Sequence, residues 1–192
     1  MEILLATKNK HKISEIKRIL KDKDINFLSL NDVDFTEKMP EEVGKTFKEN
    51  ARIKAEFIAK KTGKIALSDD SGLCVNYLDG RPGIYSARYA KKGTDKANIN
   101  KVLSELKGIP YEKRTAYFIA IICIAYPNGK VEFCEGKTYG HILEKKQGEN
   151  GFGYDLIFEP IEYKGQSFAE ITVEEKNKIS HRGRALVQVK LN

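Results

Sequence analysis

An α/β fold with a mixed, twisted sheet and flanking helices is predicted by three features of this 192-residue sequence. Stretches of helical and strand periodicity alternate through the first hundred residues. A long apolar hairpin follows, its turn marked by Pro127-Asn128-Gly129. No internal repeat, low-complexity segment or Pro/Gly/Ser-rich linker interrupts the chain. The length suits one domain with a substantial core, so a single domain over 1–192 is expected. The length of the hairpin further suggests two lobes with a cleft between them.

The first strand is predicted over 2–6. A short polar link, Thr7-Lys8-Asn9-Lys10, leads to a helix over 11–20, where Ile13, Ile16, Ile19 and Leu20 recur at helical spacing. A second helix spans 46–61. A strand over 64–68 runs into a turn, Asp69-Asp70-Ser71-Gly72, and a second short strand follows over 73–77. Asp79-Gly80-Arg81-Pro82-Gly83 reads as a loop, and 94–106 as a helix. The hairpin arms are 116–126 and 130–139. A glycine-rich loop over 148–153 precedes a strand at 156–158. Near the C-terminus Thr172 and Glu175 make a capping box, so a helix starts at Val173. Ser180 can cap a new helix beginning at His181, a break that would let Lys176, His181 and Arg182 converge.

Composition narrows the function. The longest apolar run, 117–126, is shorter than the ~18 residues a membrane span needs. The N-terminus has no basic segment ahead of its apolar run, so it is not a secretory leader. A cytoplasmic protein without a membrane partner is expected. Cys74, Cys123 and Cys134 form no C-x-x-C pair, which argues against a zinc or redox motif and for small buried hydrophobes. The net charge of +7 admits a nucleic acid, a polyphosphate or a lysine-rich surface. Lysines are spread along the chain, Trp is absent, and basic residues do not interleave with aromatics, so no nucleic-acid partner is expected.

Two segments imitate the end of a P-loop, Gly44-Lys45-Thr46 and Gly136-Lys137-Thr138. Met39 and Val131 stand where the motif needs its first glycine, so neither is one. Five other constellations carry chemistry. Thr7-x-Asn9-x-x-Lys12, between a strand and a helix, can offer backbone N–H groups and a cation to a phosphate, or simply cap the helix. Asp69-Asp70-Ser71-Gly72 supplies carboxylates of the kind that hold Mg2+, though neighbouring strand residues point opposite ways and only one Asp should face a site. Glu41-Glu42 precedes the second helix, as a favourable charge at its N-terminus or a second metal ligand. On that helix Lys54 shares an apolar stripe with Phe47, Ala51 and Ile58, a costly position unless its ammonium meets an anion. Gly151-Phe152-Gly153-Tyr154-Asp155 allows close backbone approach and an aromatic that can stack on a base, or else forms a tight turn with a core Phe. Glu174 to Arg182 gathers Lys176, His181 and Arg182.

These segments, in this order, resemble the inosine/xanthosine triphosphate pyrophosphatase family. The resemblance runs from Leu5 to about Leu186. It is carried by Ala-Thr-Lys-Asn-Lys-His-Lys (6–12), Thr-Phe-Lys-Glu-Asn-Ala (46–51), Ser-Asp-Asp-Ser-Gly-Leu (68–73), Gly-Arg-Pro-Gly-Ile-Tyr-Ser-Ala-Arg (80–88), Gly-Phe-Gly-Tyr-Asp (151–155) and Glu-Glu-Lys-x-x-x-Ser-His-Arg (174–182). One departure is Lys8, where many members have glycine. The resemblance implies a homodimeric, Mg2+-dependent enzyme that cleaves ITP, dITP or XTP between the α- and β-phosphates. It implies that Thr7, Lys8, Asn9, Lys10, His11 and Lys12 line the substrate, with Thr7, Asn9 and Lys12 on phosphates and Lys54 as a further phosphate contact. It implies Mg2+ at Glu41 and Asp70, with Asp70 also the proton acceptor and Ser71 touching substrate; whether Glu41 or Glu42 meets the metal stays open. It implies base recognition by Phe152, Gly153, Tyr154, Asp155, Lys176, His181 and Arg182, in an elongated, two-lobed subunit with a central cleft. A related group of septum-site nucleotide pyrophosphatases is the nearest alternative, but the first loop and the Ser-His-Arg segment match the purine group.

Overall fold

A computed structural model describes residues 1–190; the last two residues of the predicted domain lie outside the described residues. Six strands form one sheet in the order β2-β1-β3-β4-β5-β6: β1 Glu2–Leu5, β2 Asn26–Ser29, β3 Ile65–Val75, β4 Thr115–Ala125, β5 Val131–Ile142 and β6 Phe158–Pro160. β1 pairs in parallel with both β2 and β3, whereas β5 and β6 are antiparallel, so the sheet is mixed as expected. The helices are α1 Lys10–Ile19, α2 Phe47–Thr62, α3 Asp95–Glu105, α4 Val173–Ile179 and α5 His181–Leu186.

Local chemistry starts and stops these helices where the sequence suggests. Asn9 caps α1, accepting from the N–H groups of His11 and Lys12. Thr46 and Glu49 form a capping box at α2, and Gly63 ends it in the left-handed conformation at φ 66°. Thr172 and Glu175 form the box expected at α4, and the extended backbone of Ser180 separates α4 from α5. Among the described residues no helix is long and apolar enough to cross a membrane.

Two expectations fail. β2 is not expected from the sequence: Asn26-Phe27-Leu28-Ser29 is too short to show a clear period, and a charged turn over 21–24 precedes it. The predicted turn at Asp69-Asp70-Ser71-Gly72 does not form either, because β3 runs unbroken through it. Asp and Gly favour turns when solvated. Here Asp69 and Asp70 are buried and each finds a cation, which keeps the strand extended.

The chain divides into two compact units, one of residues 1–70, 120–136 and the chain from 182, the other of 71–119 and 137–181. Strands β3, β4 and β5 each contribute to both. The core of the first unit includes Ile3, Leu5, Ile16, Leu67, Ile122 and Leu186. That of the second includes Leu73, Ile99, Val102, Phe118, Phe158 and Phe168, with the Phe118 and Phe158 rings 4.7 Å apart edge to face. Cys74 and Cys123 are buried free thiols and Cys134 is half-buried.

Candidate active site

The first unit holds three cations and four carboxylates in one network. Lys54, on the apolar stripe of α2, is buried and donates to Glu42 Oε1 at 2.7 Å, to Asp70 Oδ1 at 2.8 Å and to the Asp69 carbonyl at 3.0 Å. Lys12 lies 2.6 Å from Asp69 Oδ1. Arg182 grips the same carboxylate from α5, with Nε 2.8 Å from Oδ2 and Nη2 3.3 Å from Oδ1, and its Nη1 bonds Glu15 of α1. Alternation along β3 gives adjacent carboxylates different cations, Asp69 to Lys12 and Arg182, Asp70 to Lys54. Burying an isolated ion costs several kcal/mol, so such charges persist only in well-paired sets.

Protonation follows the pairing. Burial opposes the charge on Asp69, yet Arg182 and Lys12 together hold its carboxyl well below the ordinary value. Burial pushes Asp70 up, and Lys54 offsets this only in part, so Asp70 is a better proton acceptor than a solvated aspartate. Burial pulls Lys12 down against the attraction of Asp69. Lys54 resists the same penalty, because Asp70 and Glu42 raise it.

The first loop is built as a cap. Thr7 Oγ1 accepts from the Asn9 N–H at 3.2 Å, and Asn9 Oδ1 accepts from the His11 and Lys12 N–H groups at 3.0 and 3.2 Å. Lys8, Asn9, Lys10 and His11 are exposed. Accepting these bonds leaves the Thr7 hydroxyl and the Asn9 amide with hydrogens to donate.

The second unit holds the glycine-rich loop. Lys176 pairs with Asp155 Oδ2 at 2.7 Å, and the same oxygen accepts from the Phe152 N–H at 2.9 Å. The Lys176 ammonium lies 5.0 Å from the Phe152 ring centroid and 5.7 Å from that of Phe168. His181 stacks on Phe118, with ring centroids 4.7 Å apart. A Cβ on Gly151 would fall 2.1 Å from Asp155 Oδ2, and its φ is 79°, so only glycine lets the loop fold onto this carboxylate.

The sequence profile of the Ham1 family matches residues 3–191. The chain belongs to the Ham1 family. A dITP/XTP pyrophosphatase of Bacillus subtilis is 49% identical over 186 residues, covering 96% of this chain and 93% of that protein. One from Geobacter sulfurreducens is 50% identical over 190 residues, covering 98% and 94%. The solved structure of a HAM1 protein from Coxiella burnetii superposes with a TM-score of 0.87 at 42% identity, covering 98% of this chain and 95% of that one.

Within this Ham1 chain the expected residues fall into separate groups. Lys12, Lys54 and Asp70 share one charged network, while Phe152, Asp155 and Lys176 make a second, aromatic one. Gly153 and Tyr154 lie on that same loop, and Ser71 is half-buried on β3. The break at Ser180 exists, but the side chains after it go separate ways: His181 joins the aromatic core and the Arg182 guanidinium bonds two carboxylates. Glu41 is exposed and lies 3.6 Å from Lys38; Glu42 is the one that shares Lys54 with Asp70. Glu15, the acceptor of Arg182, belongs to none of the expected motifs. It stands three residues after Lys12 and beside Ile16 on the buried face of α1, an acidic residue on an apolar stripe, which is the same signal that exposes Lys54.

Proposed function

We propose that this Ham1-family enzyme hydrolyses deaminated purine nucleoside triphosphates, dITP, ITP and XTP, to the monophosphate and pyrophosphate, and so cleanses the nucleotide pool. The observation that carries the reading is the oxygen set around Lys54: two carboxylates and a carbonyl already converge on one cation. It is supported by chains about half identical that are dITP/XTP pyrophosphatases.

That oxygen set also fits Mg2+, a hard cation that takes one or two carboxylates and completes its shell with water and phosphate oxygens. Among the described residues no group of three or more His, Cys, Asp or Glu side chains is poised for a metal. Asp70 would hold Mg2+ with Glu42, whose carboxylate shares Lys54 with Asp70, in preference to the outward-turned Glu41 of the family pattern. When bound, the ion neutralises charge developing on the phosphates.

The chain's own groups do the rest. Lys12, the Thr7 hydroxyl and the Asn9 amide donate to phosphate oxygens, with Lys8, Lys10 and His11 along the same loop; Ser71, on β3, touches the substrate. Lys54 exchanges carboxylates for phosphate oxygens. Asp70 takes a proton from the attacking water, the α–β anhydride bond breaks, and pyrophosphate leaves. Positioning and charge stabilisation suffice for such a transfer, with no covalent nucleophile. On the base side, Phe152 offers a ring face, with Gly153, Tyr154 and Asp155 shaping its loop and His181 packed in the aromatic core. Lys176 donates to a 6-oxo group. A 6-amino group would meet that donor with another donor, and an unpaired buried donor costs ~1–3 kcal/mol. Arg182 serves this site by fixing Asp69. The single domain over 1–192 and the cytoplasmic location, expected from length and composition, belong to the same proposal, as do the elongated subunit with a central cleft and the homodimer that the family resemblance implies. The test is a product assay on dITP, ITP, XTP, GTP and ATP with Mg2+. Pyrophosphate and a monophosphate are expected from the first three, and release of orthophosphate and a diphosphate would refute the reading.

A further inference from the structure

The geometry points to Asp95, the first residue of α3, as a positioning residue that holds the Phe152–Gly153 loop in the shape that selects the base. The inference rests on the reading of that loop as the base-recognition element. Asp95 has an ordinary reason to stand at a helix start, since a carboxylate there is favoured by the helix dipole. Its side chain does something else as well: Oδ2 accepts the backbone N–H of Gly153 at 2.7 Å, across 58 residues of sequence. Thr94 fills the capping role one residue earlier, accepting from the Ala97 N–H at 3.3 Å, so the Asp95 carboxylate is not needed for it.

Three of the loop's polar anchors differ in origin. Asp155 holds the Phe152 N–H from within the loop. Tyr154 donates its hydroxyl to the Ser86 carbonyl at 2.7 Å. Asp95 holds Gly153, the residue after Phe152, whose φ of 62° lets the chain turn there. The same turn of α3 carries Asn98, buried, which accepts from the Ala90 N–H at 2.7 Å and donates to the Ala87 carbonyl at 3.1 Å. Ser86, the acceptor of the Tyr154 hydroxyl, also donates to Gly83 at 2.6 Å and accepts from the Leu73 N–H at 2.9 Å. One helical turn therefore braces both the 83–90 segment and the loop that Tyr154 ties to it. Gly151, Phe152, Gly153 and Asp95 together line a cavity of about 290 Å³, near the lower end of ligand-pocket sizes. Phe152 sits between two backbone N–H groups fixed by separate carboxylates. Releasing the Asp95 anchor loosens the loop at Gly153 while the others remain, and a misplacement of about an ångström is enough to weaken selectivity.

The experiment compares Asp95→Ala, Asp95→Asn and Phe152→Ala by steady-state kinetics on ITP and ATP, with thermal melting alongside. Asp95→Ala is expected to raise KM for ITP and to shrink the ITP-over-ATP preference, each by about tenfold, with kcat little changed. Asp95→Asn keeps an acceptor oxygen and should restore both to within about threefold of the parent. An unchanged preference in Asp95→Ala, with or without a lower melting temperature, would reduce Asp95 to a helix-start residue and overturn the inference. So would Asp95→Asn behaving as badly as Asp95→Ala. If Asp95→Ala does nothing while Phe152→Ala collapses the preference, only the inference falls. If Phe152→Ala also leaves the preference intact, the base-reading role of the loop falls with it.

Discussion

The two regions that carry the proposed chemistry hold their buried charges by different means. In the first, Lys12, Lys54 and Arg182 are satisfied by Glu15, Glu42, Asp69 and Asp70, a lattice of ion pairs with each cation shared among oxygens. In the second, the pair Asp155 and Lys176 sits among aromatic rings, and its carboxylate also accepts a backbone N–H. A lattice of opposite charges can trade partners when a polyphosphate arrives. A pair tied to a loop backbone instead fixes a shape. The difference teaches which region should tolerate ligand exchange and which should discriminate between ligands of equal charge.

The largest expected effect breaks the lattice. Arg182→Ala leaves Asp69 and Glu15 buried without their guanidinium, and about 3–5 kcal/mol of stability should be lost in chemical denaturation. Whatever activity survives should fall alike on ITP and ATP. A stable variant with altered base preference would return Arg182 to the base-reading role that the family resemblance implies.

Asp70→Asn should leave the fold intact, because the amide keeps an acceptor for Lys54. Turnover should drop by ~10²–10³ or more, since the proton acceptor is gone. Near-normal pyrophosphate release would move the catalytic role to another carboxylate, Asp69 first.

Acid should expose the lattice next. The folded-state carboxyl of Asp69 titrates below its unfolded value, so its stabilisation is complete above that unfolded value, about pH 4, and is lost as pH falls through the folded one. Denaturation as a function of pH should therefore show Asp69→Asn less stable than the parent by about 2–3 kcal/mol at neutral pH, with the gap closing below about pH 4. A gap independent of pH would mean that Asp69 acts by shape and not by charge.

The smallest effects sharpen the second region. Gly153→Ala meets no neighbour and carries only the strain of φ 62°, about 1–2 kcal/mol. Gly151→Ala carries similar strain and also drives a methyl into Asp155, so it alone should weaken the ITP-over-ATP preference. Equal behaviour of the two variants in thermal melting and kinetics would show that the contact with Asp155 is dispensable.

Much of this was legible in the sequence because local chemistry wrote it there. The caps at Asn9 and Thr172 and the break at Ser180 follow from side chains a few residues from the backbone they serve. Lys54 announced itself as a cation on an apolar stripe, and Glu15 was readable by the same rule. What could not be read depends on distant partners. Asp69-Asp70-Ser71-Gly72 looks like a turn until Lys12, Lys54 and Arg182 are brought to it. Asp95 is an unremarked helix start until Gly153 arrives from far along the chain. Glu41 and Glu42 are equivalent in sequence, and only the fold turns Glu42 towards Lys54.

The division of labour is tested most directly by one paired measurement, kcat/KM for ITP and for ATP in Lys12→Ala and Lys176→Met. Lys12→Ala leaves Asp69 with Arg182, so the fold should hold. It should cut both substrates by a similar factor, about 10- to 100-fold, leaving their ratio unchanged. Lys176→Met keeps an apolar side chain of similar length beside the aromatic rings but removes the ammonium, and should lower the ITP-to-ATP ratio by about tenfold or more. The opposite pattern, a ratio moved by Lys12→Ala and untouched by Lys176→Met, would contradict the account.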